Sequence, residues 1–380
     1  MESFALPSPN SRTKVCILTS VHQVFDVRIF HKEAKSLAKA GYDVALIAQH
    51  GKDEVVDGIK IIAIPKPHNR FSRMLMTGIR ILISAFKQKA DIYHFHDPEL
   101  IPVGVVLKLL GKKVIYDVHE NLPEQIMGKH YIPFWMRRPI AILVQFIEQI
   151  ASTVFNYIFV ATDSIEKNFD RHKSAITIRN FPILNSSKTH TINGDSNTHN
   201  HVLIYTGGLT EERGITNVIN SLEYIDCDLE LILLGEFETK VYGDKVRSLK
   251  GFNKVRYLGK LDFIEIDKYY NQANIGVVCL QPIGRYKISL PTKLFEYMEA
   301  GLPVIASDFP LWKKIINGSR CGISVDPSNP HEISDAIKYL IEHPGKAKEM
   351  GENGRRAVLE KYNWAKESKK LLAVYKALSN

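Results

Sequence analysis

Three histidines stand at the ends of two apolar segments, where a parallel sheet would bring their side chains together. His94 and His96 belong to the segment DIYHFH, and His119 closes the segment VIYDVH. Strand alternation puts His94 and His96 on one face, and Asp97 follows directly, where it could orient one of them. Such a group is a candidate for catalysis or for metal binding. Because no sharp spacing of metal ligands accompanies it, we expect no metal.

A glycine-rich turn in the second half of the chain suits a phosphate group. In YTGGLTEERGI an apolar strand ends at Thr206, and Gly207 and Gly208 allow a tight turn with close backbone approach. Arg213 and Gly214 then open a helix, whose first N–H groups together with a cation would bind a diphosphate. The alternative is an ordinary strand–turn–helix corner with a surface arginine.

A short helix in ISLPTKLFEYMEAGLPVIASD presents a cation and a carboxylate on one face. Pro291 and Thr292 predict its start, with Thr292 as the N-cap. Lys293 lies in the first turn, where a cation opposes the helix dipole unless an anion binds nearby. Glu296 shares that face and is placed to accept two hydrogen bonds from a ribose diol. Glu299 is expected to be a solvated surface group.

Short apolar segments that alternate with helical patterns must position these residues. Segments rich in Val, Ile and Leu, such as 14–20 and 42–49, are typical of strands buried on both faces of a parallel sheet. The alternation stops at 185–201, which holds one large apolar residue, and then restarts. A chain of 380 residues is long enough for two domains. We therefore predict an α/β protein with two Rossmann-like domains facing a central cleft.

The predicted boundaries follow from these breaks in the pattern. The first Rossmann-like domain covers 1–180, a linker or flexible loop covers 181–201, and the second domain covers 202–362. A last helix at 363–380 is expected to cross back and pack on the first domain. Ligands of such sheets bind at the carboxyl ends of the strands, and the cleft is the default site.

The chain resembles the family 4 glycosyltransferases of bacterial surface polysaccharide synthesis, which have the GT-B fold. That family carries a glutamate followed five residues later by Gly-x-Pro-Val-Ile, and residues 296–305 match this pattern. Arg213 and Gly214 match the basic residue and glycine of its second domain. The segments DIYHFHDPEL, VIYDVHE and RNFP resemble motifs of its first domain.

The resemblance implies a retaining transfer of a sugar from a nucleotide diphosphate donor without a metal. Glu296 would bind the ribose hydroxyls and Arg213 would neutralise the diphosphate. His119 would be the catalytic residue that contacts the donor sugar and its phosphate, and His96 would lie on the acceptor side. The first domain would face a glycan or polyprenyl-linked acceptor and the second would bind the donor, with UDP-sugars favoured over GDP-sugars. The nucleotide sugar is a substrate, so no cofactor is expected.

One departure from the family pattern concerns the donor sugar. Ile288 stands where the family has a second glutamate. We expect backbone groups near Ser289 and Leu290 to supply contacts to the donor sugar instead.

Two further departures concern the turns after the first strand of each domain. Gly208 stands where the family has a basic residue, and either Arg285 or Lys293 would replace it. The first strand is followed by SVHQVFDVR rather than by a glycine pair. Asp26 and Arg28 are therefore expected to face the acceptor, with helix capping as the alternative for Asp26.

The positive charge of the chain lies mostly in its first half and predicts a membrane surface as partner. The formal net charge is +9, and the stretch from Gly58 to Ala90 holds no Asp or Glu. Segments 70–89 and 130–147 are basic, apolar and helical in pattern, as expected of elements that bind a membrane surface. The alternative is that both helices pack on the sheet and their cations reach into water. Basic residues interleaved with aromatic residues are not evident, so we expect no nucleic acid as partner.

The remaining sequence features predict a protein of the cytoplasm, attached to the inner face of the cell membrane. The four cysteines are scattered, which fits a reducing compartment. The first residues do not have the pattern of a signal peptide. No apolar run reaches the length of roughly 18 residues that a spanning helix needs.

Two other functions remain open from the residues alone. A nucleotide-sugar epimerase or hydrolase on the same fold would need a carboxylate pair, for which Asp97, Glu99, Asp117 and Glu120 are candidates. A non-catalytic partner subunit is favoured by the missing glutamate at Ile288. A dehydrogenase is disfavoured because no GxGxxG follows the first strand.

Overall fold

The computed structural model describes residues 12–66, 76–119, 121–128, 132–169, 174–184, 201–261 and 263–380. The chain divides into two compact units: unit 1 comprises Met1–Asn180 and Trp364–Asn380, and unit 2 comprises Phe181–Asn363. Most of the predicted linker at 181–201 lies outside the described residues. Each unit is built on one largely parallel sheet, so the α/β prediction is confirmed.

Unit 1 contains an eight-stranded sheet. Its strands are β1 (Lys14–Gln23), β2 (Asp43–Gln49), β3 (Glu54–Val56), β4 (Ile59–Ile64), β5 (Ile92–Phe95), β6 (Lys113–Val118), β7 (Tyr157–Val160) and β8 (Ala175–Thr177). The order across the sheet is β3-β4-β2-β1-β5-β6-β7-β8. Strands β3 and β4 pair antiparallel and the other described pairs are parallel.

Helices cover both faces of this sheet, because its central strands are apolar on both sides. They are α1 (Val27–Ala34, a π-helix), α2 (Lys35–Lys39), α3 (Gly78–Gln88), α4 (Ile101–Leu109), α5 (Leu122–Met127), α6 (Phe134–Ser152) and α7 (Asp163–Glu166). Two separate buried apolar clusters result, one on each side of the sheet.

Unit 2 repeats this architecture with a six-stranded sheet. Its strands are β9 (His201–Thr206), β10 (Leu229–Leu234), β11 (Val255–Gly259), β12 (Ile275–Val278), β13 (Val304–Ser307) and β14 (Gly322–Val325), in the order β11-β10-β9-β12-β13-β14. All described pairs are parallel. The helices are α8 (Ile215–Ser221), α9 (Lys240–Arg247), α10 (Phe263–Tyr270), α11 (Gly284–Ile288), α12 (Thr292–Glu299), α13 (Pro310–Ser319), α14 (Pro330–Glu342) and α15 (Pro344–Glu360).

The last helix, α16 (Trp364–Ser379), belongs to unit 1. Its apolar face, which includes Leu371 and Tyr375, joins the buried cluster under α1. Trp364 Nε1 donates to Ser36 Oγ at 2.9 Å. The C-terminal segment thus returns to the first unit, as the sequence predicted.

The predicted site residues follow strands at the place in each sheet where the strand order reverses. In unit 1 this place lies between β1 and β5, and Asp97 follows β5. In unit 2 it lies between β9 and β12, and Gly207 follows β9. A crevice forms at such a point because the neighbouring loops leave in opposite directions.

Three local features differ from the sequence expectation. The short strands β3 and β8 were not predicted, because each has only three residues. The first helix begins as a π-helix. The prediction of Thr292 as the N-cap of α12 is wrong: the helix begins at Thr292 with Pro291 as its N-cap, and no side chain of the described residues caps it. Among the described helices, none combines the length and the apolar character needed to cross a bilayer.

We expect Gly214→Ala to destabilise unit 2. Gly214 has φ +74°, and an added Cβ would overlap the carbonyl oxygen of Cys279. A left-handed backbone plus such an overlap should lower the free energy of unfolding by about 2 kcal/mol or more, measured by urea titration. The control is Gly318→Ala in α13, where a Cβ meets no atom within 4 Å. A helix interior favours Ala by up to about 1 kcal/mol, so an equal loss in both variants would contradict the prediction.

Candidate functional sites

The carboxyl ends of the unit 1 strands enclose a buried ion pair. The guanidinium of Arg28, which is 4% exposed, donates to Asp117 through Nε at 3.1 Å and through Nη2 at 2.8 and 2.9 Å. Its Nη1 donates to the carbonyl oxygen of Ile178 at 2.9 Å. Although burial opposes it, the charge of Arg28 holds the pKa of Asp117 well below its ordinary value, so the pair is ionised.

A second carboxyl group, Glu33, lies beside this pair. Its Oε1 is 3.0 Å from Arg28 Nε, but the hydrogen on that atom points to Asp117. Both Glu33 oxygens are buried, and neither has a hydrogen-bond partner among the residues that the structure describes. Burial, reinforced by the charge of Asp117, raises the pKa of Glu33 well above its ordinary value. This carboxyl therefore holds its proton far more tightly than an exposed glutamate does.

His94 and His96 complete the group as neutral imidazoles. Nδ1 of His94 lies 2.9 Å from Tyr375 Oη, and Nδ1 of His96 lies 2.9 Å from Nε2 of His119. Burial lowers the pKa of His94 to about 3. Burial, followed by the proximity of His94, lowers the pKa of His96 well below its ordinary value. The expected sharing of one face by these two histidines is thus realised in the core of unit 1.

The same side chains could be considered as metal ligands. Glu33, His94, His96 and Asp117 each offer one atom, and these atoms lie within 4.8 Å of one another. Two imidazoles and two carboxylates would suit zinc. Arg28, however, already supplies positive charge 2.8 Å from Asp117 and 3.0 Å from Glu33. A divalent cation would be repelled by it, so the arrangement favours an ion pair over a metal centre.

His119 is the histidine of this group that reaches the surface, with its side chain 17% exposed. Its Nε2 faces His96 and lies 3.5 Å from Asp117 Oδ2. Nδ1 is therefore the nitrogen that can meet a ligand. The ring of His22 lies beside it, with the two centroids 5.3 Å apart.

His22 lies between two carboxylates near this surface. Its Nδ1 is 3.6 Å from Asp26 Oδ2, and its Nε2 is 3.6 Å from Asp97 Oδ1. Asp97 was expected to orient His94 or His96. Instead its Oδ2 accepts from Thr19 Oγ1 at 2.8 Å, and from the amide of Ser20, so it holds the end of β1.

The three residues predicted to lie on the acceptor side have different surroundings. Asp26 caps α1 by accepting from the amides of Arg28 and Ile29 at 2.8 and 2.9 Å. Against the effect of burial, its contact with His22 lowers the pKa of Asp26 to about 2. Arg28 requires a correction: it is committed to Asp117 in the core and cannot face an acceptor. His96 is likewise buried, and it contacts His119.

In unit 2, two cations converge on the glycine turn after β9. Gly207 has φ +115°, and a Cβ there would collide with Lys293 Nζ and lie 3.3 Å from a terminal nitrogen of Arg213. At Gly208 a Cβ would lie 3.7 Å from Arg213 Cζ. Burial, followed by the charge of Arg213, lowers the pKa of Lys293 to about 8, against the raising effect of Glu296. Converging cations of this kind favour the binding of an anion.

The structure thus brings Lys293 to the turn that lacks the family's basic residue. The side chain of Arg285, the other candidate, lies outside the described residues. Lys293 also lies in the first turn of α12, where no side chain caps the helix. The positive end of the helix dipole adds to the potential at this turn.

Glu296 projects from α12 one turn beyond Lys293. Its Oε2 accepts a hydrogen bond from Tyr270 Oη at 3.1 Å. Among the described residues the structure records no hydrogen bond to Oε1, which can therefore accept from a ligand. A half-buried carboxylate held in this way is suited to a pair of neighbouring hydroxyls.

Other predicted residues near α12 have mixed outcomes. Ser289 and Leu290 lie between α11 and α12, and the carbonyl oxygen of Ser289 accepts from Trp312 Nε1 at 2.6 Å. That carbonyl is thus already engaged. Glu299 requires a correction, because it is 8% exposed rather than solvated.

Sequence reasoning missed four residues of these sites: His22, Glu33, Asp117 as a partner of Arg28, and Tyr270. A signal existed for Glu33, which lies four residues from both Ile29 and Leu37 on the apolar face of the first helix. Asp117 interrupts an apolar strand and so had to find a partner. For His22 and Tyr270 the sequence gives no comparable signal.

We expect Glu33→Gln to stabilise the protein increasingly as the pH rises. The pKa of Glu33 is raised in the folded state, so the folded protein binds a proton that the unfolded chain releases above pH 4.5. The wild type should lose about 1.4 kcal/mol per pH unit on this account, until the folded pKa is reached. Glutamine does not titrate, so the free energy of unfolding of the variant does not decrease with pH on this account. Urea unfolding at several pH values measures the difference.

The control for this prediction is Tyr375→Phe. It removes a hydroxyl from the same cluster, next to His94, but no carboxyl. Its stability should follow the wild-type pH dependence. A Glu33→Gln variant with that same dependence would contradict the prediction.

Two family models match the chain. The model for glycosyl transferases group 1 matches residues 187–357, and the model for Glycosyltransferase Family 4 matches residues 27–178. Together they account for most of the chain and correspond to its two units.

Known proteins agree with these matches. An uncharacterized glycosyltransferase of Methanocaldococcus jannaschii is 27% identical over 46% of this chain and 44% of its own length. The chain therefore spans about half the length of the first curated relatives that it matches. Another uncharacterized glycosyltransferase of that organism is 23% identical over 80% of this chain and 82% of its own.

A solved structure agrees in fold. HepE from Anabaena, in complex with UDP-glucose, aligns with a TM-score of 0.72 at 12% identity, over 96% of this chain and 100% of HepE. At this identity the likeness concerns the fold alone. With its two matched models, its relatives and its paired parallel-sheet units, the chain belongs to the family 4 type of glycosyltransferases and has the GT-B fold.

Proposed function

We propose that this glycosyltransferase moves a sugar from a nucleotide-diphosphate donor, with retention of configuration, to a hydroxyl of a glycan or lipid-linked glycan. The observation that carries the proposal is the meeting of Arg213 and Lys293 at the Gly207 turn, with Glu296 one helical turn further along. The two cations match the two phosphates of a nucleoside diphosphate, and the carboxylate of Glu296 matches its ribose diol.

The diphosphate is the anion that best fits the two cations. Burial and the charge of Arg213 already disfavour the charged form of Lys293, whose pKa is about 8. An anion at the turn would reverse this and restore the charge on Lys293. Glu296 raises the pKa of Lys293, but a single carboxylate carries one charge and cannot neutralise both cations. Donor binding would therefore relieve the repulsion between the two cations.

A UDP-sugar is the favoured donor and a GDP-sugar is the alternative. HepE, which has the same fold, was solved with UDP-glucose. No described residue of this chain distinguishes uracil from guanine, so the support is by likeness of fold.

The chemistry would need no metal in this scheme. The bond between the sugar carbon and the diphosphate oxygen breaks, the acceptor oxygen bonds to that carbon on the same face, and its proton passes to the leaving diphosphate. Arg213 and Lys293 would stabilise the charge that develops on the leaving group, which a metal supplies in other enzymes. His119, through Nδ1, would contact the transferred sugar, and Asp26 with its neighbour His22 would face the acceptor.

We expect the purified protein to bind UDP, and Glu296→Ala and Arg213→Ala to bind it about ten- to hundredfold more weakly. Each removes a charged hydrogen-bonding partner of the ligand, and such contacts are worth about 1.5–3 kcal/mol. Calorimetric titration with UDP and GDP, in the presence of EDTA, measures these affinities.

Lys313→Ala is the matched control, because it removes an exposed lysine of α13 in the same unit. It should bind as the wild type does. If neither nucleotide binds the wild type, or if binding is the same in all variants, the proposed donor site is wrong. Binding that disappears in EDTA would overturn the metal-free scheme.

We propose further that unit 1 attaches to the surface of an anionic membrane. In the described part of the chain, fifteen of the twenty-five exposed large apolar side chains lie on or beside α3, α4 and α6. Phe134 and Trp135 at the start of α6 are 79% and 75% exposed, and Leu109 at the end of α4 is 81% exposed. So many apolar groups on neighbouring helices are unusual for a surface in contact with water alone.

The charge of this face favours lipid as its partner. Helices α3 and α4 contain no Asp or Glu, and the one acidic residue of α6, Glu148, is buried against Tyr116 at 2.6 Å. Exposed basic residues such as Arg80, Lys87 and Arg138 accompany the apolar groups. Residues 70–75 and 130–131 of the two predicted basic segments lie outside the described residues. An apolar face with positive charge and no exposed acid suits the inner leaflet of the cell membrane, where a polyprenyl-linked acceptor would lie.

We expect the double variant Phe134→Ser, Trp135→Ser to lose most of its binding to vesicles. Burial of each aromatic side chain contributes about 1.5–3 kcal/mol, so the pair accounts for two or more powers of ten in partitioning. Flotation with vesicles of phosphatidylcholine and phosphatidylglycerol measures this, and vesicles of phosphatidylcholine alone test the charge requirement.

The control for flotation is Val241→Ser in unit 2, where an apolar side chain is 80% exposed outside this face. It should float as the wild type does. Equal flotation of the double variant and the wild type, or no flotation of either, would show that this face does not bind lipid.

A further inference from the structure

Tyr270 links the proposed ribose-binding carboxylate to the end of the central strand of unit 2. Its hydroxyl lies 3.1 Å from Glu296 Oε2 and 3.3 Å from Thr206 Oγ1. Tyr270 is the last residue of α10, Thr206 is the last residue of β9, and Glu296 lies on α12. One phenol group therefore connects three separate elements at the carboxyl end of the sheet.

The direction of both hydrogen bonds follows from the chemistry of the groups. A carboxylate can only accept, so Tyr270 must donate its single proton to Glu296. The Tyr270 oxygen is then an acceptor, and Thr206 must donate to it. Burial, followed by the charge of Glu296, raises the pKa of Tyr270 well above its ordinary value, so the phenol keeps this proton throughout the physiological range.

The position of Tyr270 is itself fixed. Its side chain is 4% exposed, and its ring packs edge-on against Tyr297 with centroids 5.8 Å apart. Tyr297 is fully buried, and its hydroxyl accepts from the amide of Thr206 at 3.1 Å. Gly276 provides the space, because a Cβ there would lie 2.5 Å from the Tyr297 ring. The donor to Glu296 is thus a buried side chain that packs on Tyr297.

We propose that Tyr270 is the positioning residue for Glu296, and that it sets how strongly the site distinguishes a ribose from a deoxyribose. Glu296 is half-buried on a helix surface, where its long side chain would otherwise sample several rotamers. The bond from Tyr270 fixes the plane of the carboxylate and engages Oε2. Oε1, and the remaining lone pair of Oε2, then point in fixed directions, as recognition of two neighbouring hydroxyls requires. This inference rests on the proposed donor site.

The test compares UDP with 2′-deoxy-UDP by calorimetric titration, or GDP with 2′-deoxy-GDP if the protein prefers guanine. We expect the wild type to bind the ribonucleotide about tenfold more tightly than its deoxy form, since one hydrogen bond to a charged group is lost. In Tyr270→Phe the ratio should fall to about threefold or less, because the carboxylate is no longer held. Glu296→Gln provides the reference for loss of the carboxylate charge.

The matched control is Tyr297→Phe. It removes a hydroxyl of the same kind from the neighbouring buried tyrosine, whose partner is the amide of Thr206 rather than Glu296. Tyr270→Phe loses two buried hydrogen bonds and Tyr297→Phe loses one, so the thermal unfolding temperature of each variant is measured to show that it still folds. Only Tyr270→Phe should change the ratio of the two affinities.

The outcomes separate this inference from the function on which it rests. If the wild type binds no nucleotide, the proposed donor site fails. If it binds with a tenfold preference that Glu296→Gln reduces but Tyr270→Phe leaves intact, the donor site stands and the positioning role is overturned. A reduced ratio in both Tyr270→Phe and Tyr297→Phe would also overturn it, because the effect would then reflect packing in general.

Discussion

Much of unit 1 depends on a single buried ion pair, the contact of Arg28 with Asp117. Two charges removed from water are stabilised only if each finds its partner in good geometry, and here the guanidinium donates three hydrogen bonds to the carboxylate. The pair connects the first helix to β6, and both oxygens of Asp117 accept hydrogen bonds from Arg28. Glu33 cannot share it and so favours its protonated form, and His94 and His96 remain neutral because a further buried charge would be unpaired.

The buried charges of unit 1 are balanced, whereas the site in unit 2 has an excess of positive charge. This difference favours unit 2 as the place where an anion binds. In unit 1 the charges cancel inside the core, which makes the cluster a rigid support for His119. In unit 2 Arg213 and Lys293 converge where Glu296 is the nearby carboxylate that opposes them, and burial, followed by the charge of Arg213, lowers the pKa of Lys293. A site with excess positive charge is stabilised by binding an anion. In the scheme proposed above, the cluster of unit 1 contributes stability and the donor diphosphate binds at unit 2.

Helices α3, α4 and α6 of unit 1 expose apolar side chains on their outer faces. The inner faces of α3 and α4 place Ile81, Ala85, Val103 and Leu107 in the buried cluster on one side of the sheet. In α6 the buried Glu148 finds its partner in Tyr116, while the outer residues remain apolar. Apolar side chains on the outer face of a helix have an unfavourable free energy in water. They are stabilised where a bilayer or another apolar surface covers them.

The sequence alone determined the alternation of strands and helices, the two parallel sheets and the positions of Gly207, Arg213 and Glu296, because these depend on local patterns and turn chemistry. The choice of Lys293 for the glycine turn and the burial of Arg28 could not be read from it. The first required knowing that α12 begins beside β9. The second required knowing that α1 packs on the end of β6, so that an arginine expected at a surface meets an aspartate far away in the chain. Side-chain partners of this kind are decided by the tertiary structure, because a buried charge is tolerated only where the fold brings a counter-charge within reach.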